Sequence, residues 1–138
     1  MTNNTLSNGA TLPNGGELMS PNGGYRLSMQ ADGNLVLYAR WGGGWKPLWA
    51  SNTCGHGNGP FRLCMQGDNN LVVYDGSMGG GIATWSSGSY RVGRGAARLI
   101  LQDDGNCVLY DGFGKALWCT RTEGPQESPY SGMGHRLW

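Results

Sequence analysis

Three stretches of this 138-residue chain superpose on successive shifts of 36 residues, and that periodicity restricts the fold more than any other feature. The first stretch runs from Tyr25 to Tyr38, the second from Phe61 to Tyr74 and the third from Ala97 to Tyr110. Arg, Leu, Gln, Asp, Asn, Val and Tyr return at the same places in all three. A period of this length, filled with strand-forming residues, predicts a closed or stacked β architecture with one small sheet per repeat.

Within a repeat the alternation is two-sided. Arg26, Ser28 and Gln30 share one face and Leu27 and Met29 the other, until Asp32-Gly33 interrupts. Asp32-Gly33, Asp68-Asn69 and Asp104-Gly105 favour the positive φ angles of tight hairpins, so each motif is expected to be two antiparallel strands. Packing the aliphatic face inward predicts a core of Leu27, Met29, Leu35 and Leu37, with Leu63, Met65, Leu71 and Val73, and then Leu99, Leu101, Cys107 and Leu109. One Trp follows each motif, at Trp49, Trp85 and Trp118, and three indoles meeting on a shared axis would supply burial that short strands lack.

The content of 26 Gly and 6 Pro argues against a helical bundle. Trp41-Gly-Gly-Gly-Trp45 and Gly79–Gly81 read as exposed loops. Trp41 and Trp45 are candidates to cover a sheet end, stack on a ligand or line a subunit contact. Leu6, Leu12 and Leu18, set among Asn-Gly turns, read as strands that complete the first sheet. The length fits one domain, expected over residues 1–120, with an irregular tail at 121–138.

Ten Lys and Arg against nine Asp and Glu give a net charge of +1, which excludes the electrostatic footprint of a nucleic-acid binder. Apolar runs such as Leu35-Val36-Leu37 are too short to insert into a membrane. Met1-Thr2-Asn3-Asn4 lacks the regions of a signal peptide, so the expected location is cytoplasmic or reached by non-classical export. Cys54-Gly-His56 with Cys64 has irregular spacing for a metal, and none is expected, nor any cofactor. His56 and His135 do not recur with the repeat and no catalytic triad or carboxylate pair is suggested, so no enzyme activity is expected.

The outward face carries the unusual chemistry. Gln, Asp, Asn, an isolated Val and Tyr are kept three times, more than a solvated strand face needs. Asp accepts, Asn and Gln both donate and accept, and Tyr adds a hydroxyl, a set suited to the vicinal hydroxyls of a sugar. A turn-capping role for Asp and Asn alone would leave Gln, Val and Tyr unexplained. Spacing does not show that Tyr38 reaches the same ligand as Gln30, and Arg26, Arg62 and Arg98 read as rim residues.

Gln-x-Asp-x-Asn-x-Val-x-Tyr resembles the signature of the bulb-type, or monocot, mannose-binding lectins, and the repeat framework reaches about Trp118. The resemblance implies an all-β, β-prism II fold: three four-stranded antiparallel sheets in pseudo-three-fold symmetry around a Trp-lined core. It also implies one mannose pocket per sheet. Asp32, Asp68 and Asp104, with Asn34, Asn70 and Asn106, would hold the axial O2. Gln30, Gln66 and Gln102 would contact O3, Tyr38, Tyr74 and Tyr110 would bond O4, and Val36, Val72 and Val108 would pack on the ring carbons. The expected partners are mannose and mannose-containing glycans, bound multivalently, and a homodimer formed through the tail is also implied. Some similar proteins suggest the alternative of a protein-interaction module directed at a cytoskeletal or defence target.

The chain departs from the plant pattern in one respect: the positions of the characteristic disulfide are Gly33 and Phe61 here. On the hairpin reading, Cys107 and Cys119 lie about opposite each other and Cys54 and Cys64 flank a Gly-rich loop, so two local disulfides are geometrically possible.

Overall fold

The computed structural model describes residues 3–78, with Met78 by its backbone alone, and 81–124. Among these residues twelve strands follow one another: β1 (Thr5–Leu6), β2 (Thr11–Leu12), β3 (Glu17–Met19), β4 (Tyr25–Met29), β5 (Leu35–Trp41), β6 (Gly44–Ala50), β7 (Phe61–Met65), β8 (Leu71–Asp75), β9 (Ile82–Ser86), β10 (Arg98–Leu101), β11 (Cys107–Tyr110) and β12 (Ala116–Cys119). One 3-10 turn, Gly76–Met78, joins β8 to the connection before β9. The strands form three four-stranded antiparallel sheets, ordered β3-β4-β5-β6, β2-β7-β8-β9 and β1-β10-β11-β12.

Each repeat thus supplies three strands of one sheet. The N-terminal segment corrects the sequence reading, because its strands do not all complete the first sheet. β1 joins the third repeat, β2 the second and β3 the first, pairing Leu6 with Leu99, Leu12 with Leu63 and Leu18 with Leu27. The Leu spacing of six residues allows one strand per sheet: two or three paired residues each, then a turn into the next sheet.

The twelve aliphatic positions expected in the core are all 1% exposed or less. Trp49, Trp85 and Trp118 sit opposite Leu37, Val73 and Leu109 across the sheets, which points them inward. Their rings meet edge to face, with centroids 5.4, 5.5 and 5.5 Å apart, and each such pair contributes about 0.5–1.5 kcal/mol beyond burial. Immediately after each Trp partner the register slips by a bulge, before Tyr38, Tyr74 and Tyr110.

The motif turns lock the sheets together. Gly33, Asn69 and Gly105 occupy the left-handed region, with φ of 92°, 72° and 93°. A Cβ on Gly33 would come within 2.8 Å of the Phe61 ring, and one on Gly105 within 2.8 Å of Tyr25. At the third junction the Asn69 side-chain carbonyl accepts the Ala97 N–H at 3.0 Å. Tyr25, Phe61 and Ala97 hold the same place in successive repeats, so each turn plugs into the next sheet and the third returns to the first. An aromatic ring against a glycine therefore occupies the junction where the plant pattern places a disulfide.

Two further expectations are revised, and a third is untouched. The Trp41–Trp45 segment is not a loop: β5 and β6 stay paired up to Trp41 and Gly44, because Gly42 and Gly43 take φ of 53° and 86° and close a two-residue hairpin turn. Neither local disulfide forms, and all four cysteines are free thiols. Cys119 pairs opposite Val108 and shares its outward face, while Cys107 is buried on the inward face; Cys64 lies on the second sheet, and Cys54 beside the motif of the first. The expected tail at 121–138 falls largely on residues 125–138, outside those described.

Candidate functional site

Each motif is built around its turn. The Gln30 N–H donates to the Asn34 carbonyl at 3.0 Å, and Gln66 with Asn70 and Gln102 with Asn106 repeat this at 3.0 and 2.9 Å. The Asp side chain caps the bend: one carboxylate oxygen of Asp32, Asp68 and Asp104 accepts the N–H of Asn34, Asn70 and Asn106, at 2.9 Å each time. The Asn side-chain carbonyl is used as well. Asn34 Oδ1 accepts from the Ser51 hydroxyl and the Thr53 N–H, both at 3.2 Å. Asn70 does so from Ser87 and Ser89, and Asn106 from Thr120 and Thr122.

These partners form a second repeated motif that the sequence reading missed. Ser51 and Thr53, Ser87 and Ser89, and Thr120 and Thr122 face one another with hydroxyl oxygens 2.7, 2.6 and 2.7 Å apart. The second hydroxyl of each pair donates to the carbonyl of Gly33, Asn69 or Gly105 at 2.6, 2.8 and 2.6 Å. The signal was present as a hydroxyl residue two and four places after each core Trp.

Capping leaves half of each polar group open. Among the described residues, the side-chain amides of Asn34, Asn70 and Asn106 donate no hydrogen bond, so three NH₂ groups stand ready for an acceptor. Gln30 Nε2 donates to the Tyr38 hydroxyl at 2.5 Å, Gln102 to Tyr110 at 2.5 Å, and Gln66 to Tyr74 likewise. This joins Tyr to the Gln end of each site, which spacing left open. The Gln carbonyl and the Tyr proton remain outward. Turn-capping therefore uses some atoms of the residue set and leaves others without a partner among the described residues.

Val36, Val72 and Val108 lie on this outer face but are only 4, 3 and 4% exposed. They form the floor of each site and leave little apolar surface for a ring to cover. The arginines are more than rim residues: Arg26, Arg62 and Arg98 lie over the rings of Tyr38, Tyr74 and Tyr110, at 4.9, 4.9 and 5.8 Å from the centroids. A cation over the ring face holds each phenol in place. At the first site the column continues, with Arg26 and Arg40 at 4.7 and 4.6 Å from the Trp45 centroid and Lys46 at 4.0 Å from that of Trp41. At the second, a groove of about 510 Å³ is lined by Thr11, Cys64, Gln66, Asp68 and Tyr74 among others.

Two acidic side chains beside the sites have their own task. Asp75 accepts the N–H groups of Ser77 and Gly59, and Asp111 those of Arg94, Phe113 and Lys115. Chiefly through the Ser77 N–H for Asp75 and the Arg94 N–H for Asp111, both carboxyls are held below their ordinary value. The Cys54 thiol hydrogen-bonds Asp32, and that bond and the carboxylate charge raise its pKa. Burial pushes the Cys107 thiol up.

A closed prism of three sheets, with one amide, carboxylate and phenol cluster per sheet, defines the β-prism II class. No family model matches the chain. A monomeric monocot mannose-binding lectin from Gastrodia elata is similar in structure, with 40% identity, coverage of 88% of this chain and 99% of that one, and a TM-score of 0.75. The mannose-specific agglutinin of snowdrop bulbs (Galanthus nivalis), solved with methyl-α-D-mannoside, is 38% identical over 89% of this chain and 100% of its own, with a TM-score of 0.67. The B-type lectin plumieribetin of Scorpaena plumieri is 44% identical over 52 residues, which span 38% of this chain and 42% of that protein. The chain belongs to the bulb-type mannose-binding lectin family.

Proposed function

We propose that this protein binds terminal α-mannose at three sites, Gln30–Tyr38, Gln66–Tyr74 and Gln102–Tyr110, and so engages glycans that present several mannoses. One observation carries the reading. In all three sheets the turn consumes the same atoms and leaves the same ones outward: the Asn NH₂, the Gln carbonyl and the Tyr proton, beside an Asp carboxylate. Nothing in turn geometry requires Gln and Tyr to be joined. In the roles the resemblance implies, Asp and Asn hold O2, Gln meets O3 and Tyr meets O4. Each site exchanges water hydrogen bonds for protein ones and gains little alone. Three sites on one rigid prism raise the effective affinity for a branched glycan, and a homodimer through residues 121–138 would double the valency. The binding domain is residues 1–120.

The test is calorimetric titration with methyl α-mannoside. Because each Asp caps its turn, Asp→Ala would disturb the fold; Asp→Asn keeps an acceptor oxygen for the cap and removes the charge presented to the sugar. Stoichiometry should fall from three by one with each of Asp32→Asn, Asp68→Asn and Asp104→Asn, with circular dichroism unchanged. A triple variant that binds as the parent does, or a parent that gives no heat, refutes the proposal.

A further inference from the structure

The three sites are alike in their motifs and different at one flanking position. The residue after Thr53, Ser89 and Thr122 is Cys54 at the first site, Tyr90 at the second and Glu123 at the third. The backbone next to it is tied to the motif each time: Gly55, Arg91 and Gly124 donate their N–H to the carbonyls of Asp32, Asp68 and Asp104, at 2.8, 2.6 and 3.0 Å. On the other side of Tyr90, Ser89 bonds Asn70 through its N–H and Asn69 through its hydroxyl. At the first site the Cys54 side chain reaches the Asp32 carboxylate, so a side chain here borders the motif.

The backbone supplies the unusual observation. The residue that follows takes a left-handed φ in every repeat, of 79° at Gly55, 57° at Arg91 and 103° at Gly124. Two repeats meet the requirement with glycine, which has no Cβ to strain. The second keeps an arginine. Asn69, the other non-glycine in a left-handed turn of this site, has a structural reason, since its amide donates to the carbonyls of Val92 and Gly95 at 3.0 and 2.9 Å. Arg91 has no such reason. Its exposed side chain lies with the guanidinium 5.1 Å from the centroid of Tyr90 and makes no hydrogen bond or ion pair among the described residues. Tyr90 is itself 54% exposed. Strain kept where the same chain twice shows the relaxed alternative points to a use for the side chains that cause it.

We propose that Tyr90, held by Arg91, is a second subsite at the Gln66–Tyr74 site, which stacks on the hexose next to the terminal mannose. The inference rests on the mannose reading above. The apolar C–H face of a hexose packs on an aromatic ring, and a ring fixed beforehand loses less freedom on binding. Arg91 is then a positioning residue, which acts on the sugar only through the Tyr90 ring it holds. Cys54 and Glu123 offer no such surface, so a preference for a disaccharide through this position is expected at the second site and not at the other two.

The test uses the full chain with Asp32→Asn and Asp104→Asn, which leaves the second site, titrated with methyl α-mannoside and with α1,2-, α1,3- and α1,6-linked dimannosides. At least one dimannoside should bind roughly 3- to 10-fold tighter than the monosaccharide, the range expected of one aromatic stacking contact. Tyr90→Ala should abolish that gain and Tyr90→Phe keep it. Arg91→Gly should reduce the gain, leave methyl α-mannoside affinity unchanged and keep or raise the melting temperature. Equal affinity for all four sugars, or a gain that survives Tyr90→Ala, overturns the subsite and leaves the mannose reading standing. No binding of methyl α-mannoside by the parent overturns both.

Discussion

The hydroxyl pair behind each motif carries a prediction that links stability to the site. Thr53 is 4% exposed, and its hydroxyl donates to the Gly33 carbonyl at 2.6 Å. It also stands 2.7 Å from the Ser51 hydroxyl, whose proton is divided between Thr53 Oγ1 and Asn34 Oδ1. Thr53→Val keeps the shape and opens no cavity, so the loss is one of hydrogen bonding alone. Two bonds at about 1 kcal/mol each disappear, and a buried carbonyl is left without its donor, for a total of about 2–3 kcal/mol. In a domain of this size that corresponds to a melting temperature lower by roughly 6–12 °C. The assay is thermal unfolding followed by circular dichroism, with methyl α-mannoside titrated at the first site in parallel. Affinity there should fall too, because Asn34 loses part of what orients its amide. A drop of less than about 2 °C would refute the view that the hydroxyl pairs anchor the turns.

Further outcomes follow from the same geometry. Asp75 and Asp111 have carboxyl pKa values below the ordinary 3.8, so they stabilise the fold above that pH and the contribution is lost as pH falls through their depressed folded values. Acid titration of Asp75→Asn and Asp111→Asn should therefore show flatter stability profiles below about pH 4 than the parent. Cys54 is exposed yet should alkylate slowly with iodoacetamide at pH 8, because Asp32 raises its pKa; Asp32→Asn should speed the reaction. Trp85→Ala removes two edge-to-face contacts and leaves a void on the axis, and should cost about 3–5 kcal/mol in denaturant unfolding.

Much of the fold was legible because the repeat makes each position testable three times within one chain. Leu27, Leu63 and Leu99 had to share a face, and Gly33, Asn69 and Gly105 had to share a turn. The destinations of Leu6, Leu12 and Leu18 were not legible, because strands of two or three residues carry no alternation that names a partner sheet. Gly42-Gly43 was misread for a related reason: the same residues make a flexible loop or a tight hairpin turn, and strand pairing across Trp41 and Gly44 decides. The motif residues were legible as a set, but the division of their atoms was not. Asp spends one oxygen on the Asn N–H, and Asn spends its carbonyl on Ser51, Thr53 and their counterparts, which lie just past the last strand of each sheet. The valines show the limit most plainly, since alternation places Val36 on the outer face and says nothing of what surrounds it there.

The most direct test of three equivalent mannose sites is a crystal structure of the full chain soaked with methyl α-mannoside. The account predicts one sugar at each motif, in contact with the outward atoms of Gln30, Asp32, Asn34 and Tyr38 and of their counterparts at 66–74 and 102–110. Sugar bound only elsewhere on the surface, or motifs left empty at saturating mannoside, would contradict it.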